Sequence, residues 1–115
     1  MTDDNGPHGR TLTDLAFHIL IALGEGPAHG YAIGKDVATQ SGGRLDPSTG
    51  ALYQALHRLK EEGLIASAEP PERCDERRKY FQLTRLGRRA AEAETRRLEA
   101  LVRTARKRKL YPQRA

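Results

Sequence analysis

The 115-residue chain has one cysteine, Cys74, and no tryptophan. A lone thiol excludes an internal disulfide framework and a cysteine-rich zinc site. The four histidines, His8, His18, His29 and His57, do not stand at ligand spacing, so no metal is expected. Long apolar runs are also missing. The most hydrophobic charge-free run, Leu15 to Gly24, has ten residues, and a spanning helix needs ~20. No charged start leads into an apolar stretch and a small-residue cleavage site. The expected location is therefore the cytoplasm, with no membrane partner. A glycine-rich phosphate loop, a paired-carboxylate site, a nucleophile elbow and a metal motif are all absent. An enzyme is not expected, and neither is a cofactor.

What the chain does have is charge, unevenly placed. Residues 1–83 carry nine Lys and Arg against twelve Asp and Glu, a net −3. Residues 84–115 carry eleven against three, a net +8, which leaves +5 for the whole. The basic excess peaks at Arg103 to Lys109, with five cations in seven residues. Such a segment suits a polyanion, and it equally suits a solvated helix end.

The apolar residues are periodic. Residues 1–10 read as a loose arm rich in breakers. Leu12, Leu15, Ala16, Ile19, Leu20 and Leu23 then repeat at helical spacing. Thr11 and Thr13 compete as its cap. Phe17 and Ile21 lie off that face, so a second surface has to cover them. Gly24 to Pro27 stops the helix. A second helix is expected from about Gly30 to Thr39. Asp46 and Pro47 are expected to open a third, with Asp46 as the cap and Pro47 as the first helical residue. It runs to about Glu62, with Leu52, Ala55, Leu56 and Leu59 turned inward and Gly63 as the stop. Leu64 to Glu69 and Arg78 to Leu83 read as two strands joined by a polar tip. Thr84 caps a last helix to about Lys109, striped by Leu86, Ala90, Ala93, Leu98, Leu101, Val102 and Ala105.

The order helix, helix, helix, hairpin, helix suits a winged helix-turn-helix: a mainly α fold with a small β-hairpin and a final helix for dimerisation. Residues 11–83 would form the winged unit, 84–110 the dimerisation helix and 111–115 a tail. The third helix then fits a DNA major groove, which is ~12 Å wide and admits one helix. Its outer face offers Ser48 and Thr49 near the positive N-terminus, then Tyr53, Gln54 and His57. The hairpin carries Arg73, Arg77, Arg78 and Lys79. Strand alternation means that Arg77, Arg78 and Lys79 cannot all face one duplex. Tyr53 suits a phosphate contact as well as half-buried packing, and Tyr31 divides in the same way between covering core and reaching a phosphate.

Several segments resemble the PadR family of winged-helix transcriptional regulators. They are Leu15 to Leu23, His29-Gly30-Tyr31-Ala32-Ile33, Gly50 to Leu59, Glu62-Gly63-Leu64-Ile65 and Arg78 to Thr84, closing with Gly87. The likeness covers about residues 11–105. It implies a homodimer that binds double-stranded DNA. It also implies that the last helix, helped by the first, makes the dimer contact through Phe17, Ile21 and the stripe from Leu86 to Ala105. Tyr31, Tyr53 and its neighbours, and the wing cations would meet DNA, with Lys35 beside Tyr31 in the same role. Gln54 and Lys60 stand where the family often has a proline and an acid, and Pro70-Pro71 replace the usual wing glycines. Some members stack flat aromatic drugs between tryptophans, a use that a chain without tryptophan does not inherit.

The expected function is a sequence-specific transcriptional repressor. It would act as a dimer on a palindromic operator and be released by a small-molecule effector whose identity no residue names. The alternative is a winged-helix module that holds another protein, with the basic tail as anchor. Cys74, at the wing tip, is either a thiol switch or an exposed spectator.

Overall fold

Thr13 begins the first helix. In the computed structural model, which describes residues 12–71 and 78–112, its hydroxyl accepts the Ala16 amide at 3.0 Å. That settles the competition between caps, and α1 runs Asp14–Ala22 before a single tight turn over Leu23–Glu25. The order continues with β1 Ala28–His29, α2 Gly30–Gln40, α3 Thr49–Glu61, β2 Ile65–Ala68, β3 Tyr80–Leu83 and α4 Arg85–Lys107. The expected arm at 1–10, the rival cap Thr11, most of the hairpin tip (72–77) and residues 113–115 lie outside the described residues.

Three expectations need correction. The third helix is capped by Ser48 rather than Asp46, because the Ser48 hydroxyl accepts the Ala51 amide at 3.1 Å and its carbonyl takes Leu52 N–H. Pro47 therefore precedes the cap instead of opening the helix. The hairpin is really a three-stranded antiparallel sheet in the order β1-β3-β2. The unforeseen strand, Ala28–His29, pairs with Phe81 and Tyr80. Finally, Ala90 is buried in the chain's own core, so it is closed to a partner, and Leu86 packs at the edge of that core.

The core joins Ile19, Leu20 and Leu23 of α1 and its turn, Ile33 and Val37 of α2, and Leu52, Leu56 and Leu59 of α3 to Leu64, Ile65 and Phe81 of the sheet region. Full burial of each large aliphatic side chain contributes ~1.5–3 kcal/mol. This cluster fixes how α2 and α3 cross. Gly34 sharpens the approach, since a Cβ there would stand 3.2 Å from Leu52 Cδ2.

Three helices end in the same way. Gly42, Gly63 and Lys109 adopt left-handed φ of 63°, 80° and 63°. In each, the following amide reaches back five residues: Gly43 to Ala38, Leu64 to Leu59 and Leu110 to Ala105. This double-bonded stop satisfies carbonyls that the helix leaves open.

The joint after α3 is tied tightly to α4. The Thr84 hydroxyl donates to the Gly63 carbonyl at 2.6 Å and accepts the Gly87 amide at 3.0 Å. A Cβ on Gly87 would collide with the Leu64 carbonyl oxygen. α4 is buried along its inner third at Gly87, Ala90 and Glu94. Glu94 is paired there with Arg97 through Nε–Oε1 at 3.1 Å. Past Leu98 the helix leaves the core, and Leu101 and Val102 are 54% and 44% exposed.

Candidate nucleic-acid interface

α3 divides its residues by period. Leu52, Leu56 and Leu59 are buried, while Tyr53, Gln54, His57 and Arg58 are exposed. Gly50, Tyr53, Gln54, His57, Arg58 and Glu61 line one open groove on the outer side. His57 Nε2 lies 3.3 Å from Glu61 Oε2 at that exposed surface. The outward orientation expected for Thr49, Tyr53, Gln54 and His57 is thus observed. Ser48 is exposed too, with its hydroxyl oxygen engaged by the Ala51 amide.

Two clefts flank α3. One, of about 480 Å³, lies toward α2 and includes Tyr31, Lys35, Thr49, Leu52 and Tyr53 in its wall. The other, of about 400 Å³, lies toward the sheet and includes Tyr53, His57, Lys60, Arg78 and Lys79. Tyr53 belongs to both walls. It is 40% exposed, and its phenol lies directly over Gly30. The two roles considered for this tyrosine are thus compatible: one ring edge packs and the rest faces out.

Tyr31 is 65% exposed at the first turn of α2. Lys35 Nζ and the Arg78 guanidinium stand 5.6 and 5.8 Å from its ring centroid, within cation–π range. Among the expected contacts, Tyr31, Lys35 and Arg78 are thereby brought together, as are Tyr53, His57 and Lys79. Arg73, Arg77 and Cys74 lie outside the described residues.

One member of this site was missed at the level of sequence. His29 caps α2, its Nδ1 accepting the Ala32 amide at 3.2 Å. Arg78 Nη1 lies 2.9 Å from its Nε2. Burial, and then the Arg78 charge, push the imidazole below its ordinary 6.5. The only sequence signal is the polar residue immediately before a helix that opens with glycine.

Charge also ties α1 to the loop that follows α2. Arg44 Nη1 meets Asp14 Oδ2 at 2.9 Å, and Asp14 Oδ1 is 3.3 Å from His18 Nδ1. The Arg44 hydrogen bond is the main cause that holds the Asp14 carboxyl below 3.8. Gln40 Nε2 donates to the His18 carbonyl at 3.2 Å, tying α2 to α1. Among the described residues no cluster of three metal-ligating side chains occurs, and no helix is long and apolar enough to cross a membrane.

The sequence pattern of the transcriptional regulator PadR-like family matches residues 19–93. The chain belongs to the PadR-like family. A PadR family transcriptional regulator from Eggerthella lenta is 29% identical, with a TM-score of 0.64 over 81% of this chain and 79% of that one. Bacillus subtilis PadR in complex with operator DNA shares the fold at 24% identity and a TM-score of 0.59, over 70% of this chain and 45% of that one. An uncharacterized 37.1 kDa protein in transposon TN4556 of Streptomyces fradiae is 41% identical over 81 residues. That stretch is 70% of this chain but 22% of the transposon protein. The PadR-like chain thus spans a small part of that relative.

Proposed function

We infer that this PadR-like chain is a sequence-specific DNA-binding repressor that works as a homodimer. The observation that carries the reading is the outer face of α3. It is polar, exposed and bordered on both sides by cations: Lys35 on one, Lys79 and Arg78 on the other. In this reading α3 enters the major groove. Thr49, Gln54 and His57 meet base edges, while Tyr31, Tyr53 and the cations grip phosphates. Phosphate contacts supply affinity and register, and base edges supply discrimination. The sequence supplies two further cations, Arg73 and Arg77, for the same purpose.

The dimer reading is supported by apolar surface that the chain leaves open. Ile21 is 45% exposed on α1, and Leu101 and Val102 continue the stripe on α4. Phe17, Ala93, Leu98 and Ala105 are half-buried along the same two helices. A second copy would cover them and set two α3 helices on half-sites about one helical turn apart. A groove between α1 and α4, walled by Leu20, Ile21, Leu83, Arg88, Ala91 and Thr95, adjoins this face. An effector held there would release DNA by favouring a different pairing angle, provided it binds the two states unequally.

Selection of bound fragments from the source genome by the purified chain tests the whole reading. The expected product is a palindromic operator, bound more tightly than random DNA and lost on Tyr53→Ala with the circular dichroism unchanged. Equal binding to selected and random fragments defeats it.

A further inference from the structure

His29 sits where three parts of the molecule meet. It pairs with Tyr80 across the sheet, caps α2 and touches Arg78 at the foot of the wing. Its ring is edge-on to Tyr80 at 5.3 Å and nearly parallel to Tyr31 at 6.4 Å. Arg78 Nη1 is 2.9 Å from Nε2 and 3.2 Å from Nδ1.

The chemistry of these contacts has one direction. The Ala32 amide and the guanidinium can only donate. Arg78 Nη1, close to both ring nitrogens, stands against the ring off either lone-pair axis, as a cation beside a neutral ring, and the single lone pair of the neutral imidazole is taken at Nδ1 by the Ala32 amide. A protonated ring offers none. Protonation would set donor against donor at the cap and cation against cation at Arg78. The groups that face the ring from α2 and β3 are the phenols of Tyr31 and Tyr80, and from the wing foot Arg78. Lys35 stands behind Tyr31, and among the described residues no carboxylate pairs with the ring.

We propose that His29 is a positioning residue for DNA binding: its neutral ring holds the wing foot against the start of α2, and acid releases it. This rests on the DNA-binding reading above. With the ring neutral, the α2 N-terminus, Tyr31, Lys35 and Arg78 form one rim of fixed spacing that suits backbone phosphates. With the ring charged, the cap is lost and Arg78 is repelled, so the rim has to be ordered when DNA arrives. Binding then weakens in acid. That sign is opposite to the usual effect of histidine protonation, which adds a cation to a surface that meets a polyanion.

The test measures affinity between pH 7.5 and 5.5 for the wild-type chain and His29→Asn, on a labelled duplex from the genomic selection. Asparagine keeps a cap acceptor and does not titrate. Wild-type binding is expected to weaken by roughly threefold toward pH 5.5, whereas His29→Asn stays level or tightens. The slope is the readout, not the absolute affinity. Proton NMR of the free chain gives a measurement without DNA. His29 should titrate below 6.5 in the wild type and shift upward in Arg78→Met. Identical pH slopes in the two proteins, or a His29 titration that Arg78→Met leaves in place, overturn the proposal while DNA binding stands. A duplex that wild type fails to bind at pH 7.5 overturns the DNA reading and the proposal with it.

Discussion

The phenol of Tyr53 fills the space that a side chain on Gly30 would need. The first residue of α2 and the middle of α3 therefore share one site, and only glycine at position 30 leaves Tyr53 in its observed pose. Tyr53 is partly exposed, so its ring has room to swing outward.

Gly30→Ala should accordingly leave the fold nearly untouched, with stability within about 0.5 kcal/mol of wild type. DNA affinity should fall several-fold because the displaced ring crowds the groove-facing side. Thermal unfolding together with fluorescence anisotropy separates the two effects. A large loss of stability with unchanged affinity would refute this account.

The joint between α3 and α4 should respond in the opposite way. Thr84→Ala removes a cap and a bond to the Gly63 carbonyl, and is expected to cost about 1–2 kcal/mol. Gly87→Ala drives a methyl group at backbone rather than at a movable side chain, with an expected cost of about 1–3 kcal/mol. Urea unfolding reads both. Operator affinity measured at temperatures where each variant remains folded should change little.

Pairing is testable without DNA. Ile21→Glu combined with Leu101→Glu places charge on two of the open apolar positions, one on each helix. Sedimentation should show a monomer with wild-type helicity, and operator binding should drop sharply. A variant that still sediments as a dimer would locate the contact elsewhere.

Stability should fall in two acid steps. The unfolded imidazole of His29 takes its proton near 6.5, before the folded one does. Stability linked to it is complete above that pH and declines as pH falls through the lower folded value. Asp14 behaves likewise around a lower reference. Its carboxyl is held below 3.8, chiefly by the Arg44 hydrogen bond, so its contribution is complete above 3.8 and is lost as pH falls through the folded value. Urea midpoints against pH should lose the upper step in His29→Asn and the lower one in Asp14→Asn.

Helix spacing and the inward set Leu52, Leu56 and Leu59 were legible because period and burial are local properties. So was the Thr84 cap, where one hydroxyl stands alone before a helical run. At the start of α3 the local rules offer two good caps, Asp46 and Ser48. The choice follows from the preceding turn, which is held by the Ser41 hydroxyl accepting Leu45 N–H at 2.9 Å. β1 carried no signal, since Gly26 to Gly30 reads as a loop and its pairing partner lies some fifty residues downstream. The role of His29 was hidden for the same reason: it depends on Arg78, a neighbour only in space. Ala90 looked like interface because periodicity identifies an apolar stripe but not which body covers it.

The long final helix has a further consequence. Its 23 residues span roughly 34 Å at 1.5 Å each, rooted in the core at one end and bare at the other. It works as a geared shaft. One residue inserted after Thr95 would turn the outer half by about 100° relative to the root, while an insertion of seven would nearly restore the phase. Operator recognition should therefore tolerate the longer insertion better than the shorter one, at the cost of a wider preferred spacing between half-sites.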